Sequence, residues 1–172
     1  MRKLLTFLIL LGLINACSNI YVDRQQTPQV VEIPDDYRPN IGGDKVRMQL
    51  QKDAERLIGV KYKYGGTTPK GFDCSGFTGY VYNKSNIDIT RSSQTQAKKG
   101  VRIKVKDARK GDLVFFTGTG KNKISHVAMV ISNDNQGLVV IHSTTSKGVR
   151  KDNVTRSSYW NPKILFARRI LD

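Results

Sequence analysis

Cysteine and histidine are both scarce in this 172-residue chain, with two of each. Two cysteines cannot build the multi-bridge framework of a disulfide-stapled miniature protein, and a chain this long buries a core without staples. Cys17, Cys74, His126 and His142 lack the short ligand spacings of a zinc site, so neither a metal nor another cofactor is expected. Long apolar runs are missing too. The only candidate, residues 4–14, is too short to span a bilayer comfortably. Acidic residues are in deficit, 14 against 29 basic ones, for a formal charge of +15, and such a field draws in polyanions. No internal repeat or low-complexity tract is present, which removes repeat architectures from consideration.

What is there begins with a targeting segment. Arg2 and Lys3 precede the apolar run, which ends at Ile14, Asn15, Ala16 and Cys17. This arrangement resembles a bacterial lipoprotein signal, in which the cysteine is lipidated, becomes the new N-terminus and ties the protein to a membrane. The expected organisation is a signal over residues 1–16, a lipidated Cys17 opening a flexible tether over 17–43, and one domain over 44–172. An uncleaved anchor, or ordinary cleavage that leaves Cys17 as a spare thiol, is the alternative. Pro28, Pro34 and Pro39 prevent a persistent helix in the tether, which reaches about 80 Å when extended. Ser18 supplies no inner-membrane retention cue, so the expected location is the cell envelope outside the cytoplasm, on an outer membrane where the cell has one. Export argues against nucleic acid as partner for the positive charge and favours cell-wall peptides with free carboxylates, anionic lipids or phosphorylated glycans. If Cys17 is lipidated, Cys74 is a lone thiol in an oxidising compartment, where a thiol without a role is a liability.

Downstream, Asp44 is a candidate N-cap for a helix whose apolar residues Val46, Leu50, Ala54, Leu57 and Ile58 recur at helical spacing up to Gly59. Its charged residues, Arg47 and Asp53 among them, are assigned to the solvated face. A glycine-rich loop from Tyr62 then runs into a helix over residues 74–83. Gly76 and Gly79 lower helix propensity there, so a close neighbour, expected to be a core strand, must press on them. Ser92 caps a short helix ended by Gly100. After that the texture becomes β, with strands predicted over 112–117, 126–132, 137–143 and 164–170 and a weaker one over 101–105. Helices followed by an antiparallel sheet define an α+β domain.

Cys74 at the start of its helix meets unpaired backbone amides and the positive end of the helix dipole, which favour thiolate. A nucleophilic cysteine also needs a base, and the chain has only His126 and His142 to offer. The turn formers at 132–136 imply a hairpin, and a turn centred on Asp134 makes the two histidines direct cross-strand partners on one face. His126 would then take the thiol proton and His142 would orient His126. Taken singly, Cys74 also fits a small buried hydrophobe, and each histidine a core or edge residue of its strand.

Read together and in order, Tyr62, Tyr64, Gly65 and Gly66, then Asp73, Cys74, Ser75 and Gly76, then Arg91 and Ser92, then residues 111–116, then Ser125, His126, Val127 and Ala128, and finally Ile141 and His142 resemble the NlpC-type family of bacterial cell-wall cysteine peptidases. The resemblance covers residues 44–172. It implies a papain-like core with Cys74 as nucleophile, His126 as base and His142 as the orienting third residue. It also implies Tyr62, Asp73, Ser75 and Arg91 as residues of the substrate cleft, while Asp73 and Ser75 equally fit helix capping and Arg91 an ion pair with an acidic neighbour. Lys110 and Thr90 stand where that family often has proline, and the connection between the two histidines is longer than is common. The implied activity is that of a monomeric peptidoglycan endopeptidase acting on the D-glutamyl–diamino acid bond or the D-alanyl–diamino acid cross-link. An acyltransferase or lipid-directed enzyme on the same fold, which needs an apolar groove, and a non-catalytic wall-binding lipoprotein are the alternatives.

Overall fold

The computed structural model describes residues 41–118 and 123–171. The signal segment, Cys17 and nearly all of the tether lie outside these residues. The first helix, α1, spans Ile41–Glu55 and so takes in residues 41–43, which the sequence reading gave to the tether. Asp44 is accordingly not the N-cap; it is the acidic residue of the first turn, where it still complements the helix dipole. Two short strands, β1 (Thr67–Thr68) and β2 (Gly71–Phe72), pair within the loop that precedes helix α2, Cys74–Asn83. Helix α3 is a single turn, Ser93–Gln96, with Ser92 as its N-cap.

Strands β3 (Val101–Ile103), β4 (Leu113–Thr117), β5 (Ile124–Asp134), β6 (Gly137–Thr144), β7 (Gly148–Asn153) and β8 (Ile164–Arg169) form one antiparallel sheet in the order β3-β8-β4-β5-β6-β7. Strand β7 was not foreseen, because only Val149 among its residues is a buried apolar side chain and the rest show no alternation. The central strands β4 and β5 read as continuous apolar runs because both faces of the sheet are covered. Leu113, Phe115, Val127, Met129 and Ile141 pack with Leu50, Phe77, Val81 and Tyr82 on the helical side. Val114, Phe116, Ala128, Val130 and Val140 pack with Val154 and Ala167 on the other. Among the described residues no helix is long and apolar enough to cross a membrane.

Two charged residues of α1 depart from the amphipathic reading. Arg47 and Asp53 are buried, at 6% and 4% exposure. Arg47 donates from Nη1 to Asp112 Oδ1 at 2.9 Å and to the Lys110 carbonyl at 2.7 Å, and it also reaches the Leu171 carbonyl. Arg169 meets the other oxygen of Asp112 at 3.1 Å. Because a buried charge is tolerated only when paired and hydrogen-bonded, this knot clamps α1, the start of β4 and the C-terminal segment to one another.

Removing one partner leaves the other charge buried and unpaired. Asp112→Ala should therefore lower the unfolding free energy by about 3–5 kcal/mol, whereas Asp44→Ala should cost about 1 kcal/mol or less. Equilibrium urea denaturation of both variants checks this.

Candidate active site

Asp73 decides where α2 starts. Its backbone is extended, with φ −86° and ψ 177°, and Oδ1 accepts the Gly76 amide at 2.6 Å, so the next residue, Cys74, becomes the first of the helix. The loop is held against that turn by backbone alone. The Asp73 amide donates to the Gly66 carbonyl at 3.0 Å, and a Cβ on Gly76 would lie 2.0 Å from the same oxygen. The neighbour that demands glycine at 76 is thus this loop and not a strand, while a Cβ at Gly79 would make only ordinary contact, 3.5 Å from the Thr90 carbonyl. Across the cleft, Ser143 of β6 donates to the Phe72 carbonyl at 2.8 Å, fastening the loop beside His142.

His126 and His142 are brought together, though not as direct partners. The hairpin turn falls at Asn135 and Gln136, with Asp134 opposite Gly137 and Asn133 opposite Leu138. That register, continued unbroken, would set His142 level with Met129 and put the two histidines on opposite faces of the sheet. A bulge at Ile131 prevents this. It brings Met129 opposite Ile141, so the two histidines share a face, offset by two residues. The rings meet at 2.9 Å, His126 Nε2 to His142 Nδ1, and His142 Nε2 lies 3.0 Å from Asp152 Oδ2. Trp160 packs on both, nearly parallel to His126 at 4.9 Å and tilted to His142 at 4.9 Å.

The order of hydrogen bonds assigns the tautomers. Burial alone would raise the Asp152 carboxyl, but the hydrogen bond from His142 and the charge of Arg150 outweigh it and hold it below the usual aspartate range. An ionised Asp152 accepts from Nε2 of His142; Nδ1 of that ring then accepts from Nε2 of His126. Nδ1 of His126 is left as the unprotonated, basic nitrogen. The ring belongs to the cleft that Cys74 lines, and the Cys74 sulfur accepts from the amide of Val127, the residue after His126.

Burial also sets the charge state. It pushes the Cys74 thiol up, against the opposing pull of the Val127, Ser75 and Cys74 amides, and the Asp73 carboxylate adds to the rise. It pushes His126 well below the usual histidine value, with His142 contributing. Burial thus opposes the thiolate that the sequence reading drew from the helix start. Both directions favour a thiol beside an uncharged imidazole over an ion pair. Tyr62 also lines the cleft, and burial, with Cys74 and Asp73 nearby, raises its hydroxyl, so it remains a donor.

The other expected cleft residues sit apart from that cavity. Arg91 Nη2 donates to Asp73 Oδ2 at 2.6 Å, and Arg91 Nη1 and Ser75 both contact Asp73 Oδ1. Ser75 and Arg91 line a separate groove with Thr67 and Tyr80. The Cys74 cleft, about 710 Å³, is instead walled by the turn after Ser143, by Arg150 and Asp152, and by Tyr159, Trp160 and Lys163. Asp152 and Trp160 were missed because the segments that carry them, an edge strand and an irregular turn, have no periodic pattern to mark which residues face inward. Among the described residues no group of three or more His, Cys, Asp or Glu side chains is arranged to hold a metal ion.

Comparison with known proteins adds an independent line. A model of the NlpC/P60 family matches residues 59–169. The chain is 43% identical over 124 residues to the Gamma-DL-glutamyl hydrolase of Bacillus subtilis (strain 168), covering 70% of this chain and 29% of that protein. It is 38% identical over 123 residues to the Probable endopeptidase NlpC of Escherichia coli (strain K12), covering 70% of this chain and 76% of the relative. Among solved structures, an NlpC/P60 family protein from Bacillus cereus ATCC 10987 superposes with a TM-score of 0.67 at 33% identity, over 73% of this chain and 40% of the other. The chain spans only part of several relatives, from 21% to 34% of their length.

The protonation states can be read chemically. In the full chain carrying Cys17→Ser, alkylation of Cys74 by iodoacetamide should accelerate as pH rises above about 8.5, the ordinary cysteine value, because the thiolate forms only there. A rate already at its plateau near neutral pH would show that the helix start prevails over burial.

Proposed function

Because the chain belongs to the NlpC/P60 family, we propose that it is a cysteine-dependent peptidoglycan endopeptidase, with Cys74 as nucleophile, His126 as base and His142, held by Asp152, as the residue that orients the base. The observation that carries the reading is the row of hydrogen bonds Asp152, His142, His126 ending at the cleft that exposes Cys74. The γ-D-glutamyl–diamino acid bond is the proposed target, in line with the name of a Bacillus cereus relative, Gamma-D-glutamyl-L-lysine dipeptidyl-peptidase.

In this reading, Nδ1 of His126 takes the Cys74 proton as the sulfur attacks the amide carbonyl. The carbon–sulfur bond forms, and the oxygen of the tetrahedral intermediate is met by the Cys74 amide and the Tyr62 hydroxyl. The His126 imidazolium, steadied through His142 by the Asp152 carboxylate, gives its proton to the leaving amine as the carbon–nitrogen bond breaks. Water then attacks the thioester with His126 again as base, and the thiol returns. Starting from an uncharged pair, the proton moves only when substrate engages, and the charge separation that results is what Asp152 stabilises.

Ser143, Thr144, Thr145, Ser146 and Lys147 give the cleft a polar and basic wall, which suits a stem peptide better than the apolar groove an acyl chain requires. The proposal includes a monomer anchored through a lipidated Cys17 and facing the wall from outside the cytoplasm, on the outer membrane where there is one. It rests on the signal-like residues 1–17.

Incubation of the purified full chain with peptidoglycan, followed by mass identification of the products, should show loss of one stem-peptide bond. Cys74→Ala should lower that cleavage by about 10³-fold or more. Intact wall under reducing conditions, with the fold confirmed, overturns the reading. Asp152→Asn should lower kcat by about tenfold or more with little change in KM. Loss of its negative charge makes His126 harder to protonate, so the acid limb of the pH–rate profile should also move to lower pH, a shift that a merely structural role for Asp152 would not give.

A further inference from the structure

The cleft carries charge that the catalytic reading does not use. Its wall carries three cations from three separate segments: Lys147 in the turn between β6 and β7, Arg150 on β7, and Lys163 in the short 3-10 turn Asn161–Lys163. Asp152, the one carboxylate among the described residues that line it, is already engaged, accepting from His142 at 3.0 Å and from Arg150 Nη2 at 2.5 Å. Among the described residues neither Lys147 nor Lys163 has a carboxylate at salt-bridge distance. Lys163 lies 3.1 Å from the centroid of the Tyr159 ring, and Tyr159 packs edge-on against Trp160, the ring that stacks on His126. Arg150 retains a buried Nε with no hydrogen-bond partner, an incomplete arrangement for a guanidinium. Three cations against one carboxylate that is already engaged, in the cavity that the nucleophile also lines, are what an anionic substrate group fits.

We propose that Lys147, Arg150 and Lys163 form a carboxylate-binding subsite of the Cys74 cleft, which selects stem peptides whose carboxyl group is free over those in which it is amidated. This rests on the peptidase reading for the identity of the ligand and goes beyond it in assigning residues to specificity. Planar pairing with Arg150 and point-charge contacts from the two lysines suit a carboxylate, while a carboxamide offers no charge and places an N–H₂ against donors. Because these contacts are made before and during reaction alike, the subsite acts on KM more than on kcat.

The test measures binding without turnover. The full chain carrying Cys74→Ala is titrated by calorimetry with a synthetic stem peptide bearing a free carboxyl group and with its carboxamide twin. The carboxylate form should bind about tenfold more tightly. Adding Lys147→Gln and Lys163→Gln, two substitutions outside the core, should reduce the difference to about twofold or less, with an unchanged melting temperature. Equal affinity for the twins, binding of neither, or a preference undiminished in the double variant each overturns the subsite. Cleavage is scored separately with Cys74 intact. A chain that cuts the wall through Cys74 but binds the twins equally loses the subsite and keeps the peptidase reading; one that shows the binding preference but leaves wall uncut does the reverse.

Discussion

Side chains on a strand alternate between its two faces, so histidines on neighbouring strands meet only when the register between them has the right parity. In this protein the hairpin turn supplies the wrong parity, and the extra residue at Ile131 corrects it. Without that bulge His126 and His142 would sit on opposite faces, no order of hydrogen bonds could run from Asp152 to His126, and the basic nitrogen would not be assigned. Strand β7 extends the same logic. Arg150 lies directly opposite His142 and Asp152 opposite Val140, so the carboxylate is one step along on the same face.

The nucleophile comes from the other layer, and its placement depends on backbone more than on side chains. The Gly66 carbonyl abuts the Cα of Gly76, Asp73 caps the helix, and Ser143 ties the Phe72 carbonyl to β6. Each contact joins the loop before Cys74 to a rigid element, so the sulfur is held relative to the sheet that carries both histidines. Further from the site, the Arg47–Asp112–Arg169 knot fixes α1 and the chain end across the same sheet.

Electrostatics in the cleft is a contest between burial and local dipoles. A helix start contributes about 0.3–1 kcal/mol toward a thiolate, up to about 2 kcal/mol in a sheltered geometry, while desolvation of a charged group shifts a pKa by as much as 3–5 units when burial is complete. For Cys74 burial prevails despite three backbone amides, and for His126 nothing opposes it. These directions favour proton transfer during reaction over a standing ion pair. The cations of the cleft wall belong to the same balance, since Arg150 helps keep Asp152 ionised while Lys147 and Lys163 line the cavity.

The residues alone determined the α+β class, the helix that begins at Cys74, the cap at Ser92, and which two histidines and which cysteine belong together, because these follow from local patterns and from a short supply of candidates. Local pattern could not set the hairpin register, since a bulge is a property of two paired strands. It could not find Asp152, Trp160 or Lys163, which lie on an edge strand and on irregular turns whose inward positions are chosen by what packs against them. It misplaced Arg47 and Asp53 on the solvated face, because a buried charge is recognisable only once its partner is in view. It predicted a thiolate from the helix start and a histidine base. Only the tertiary structure decided that question, because desolvation depends on every atom that surrounds the sulfur.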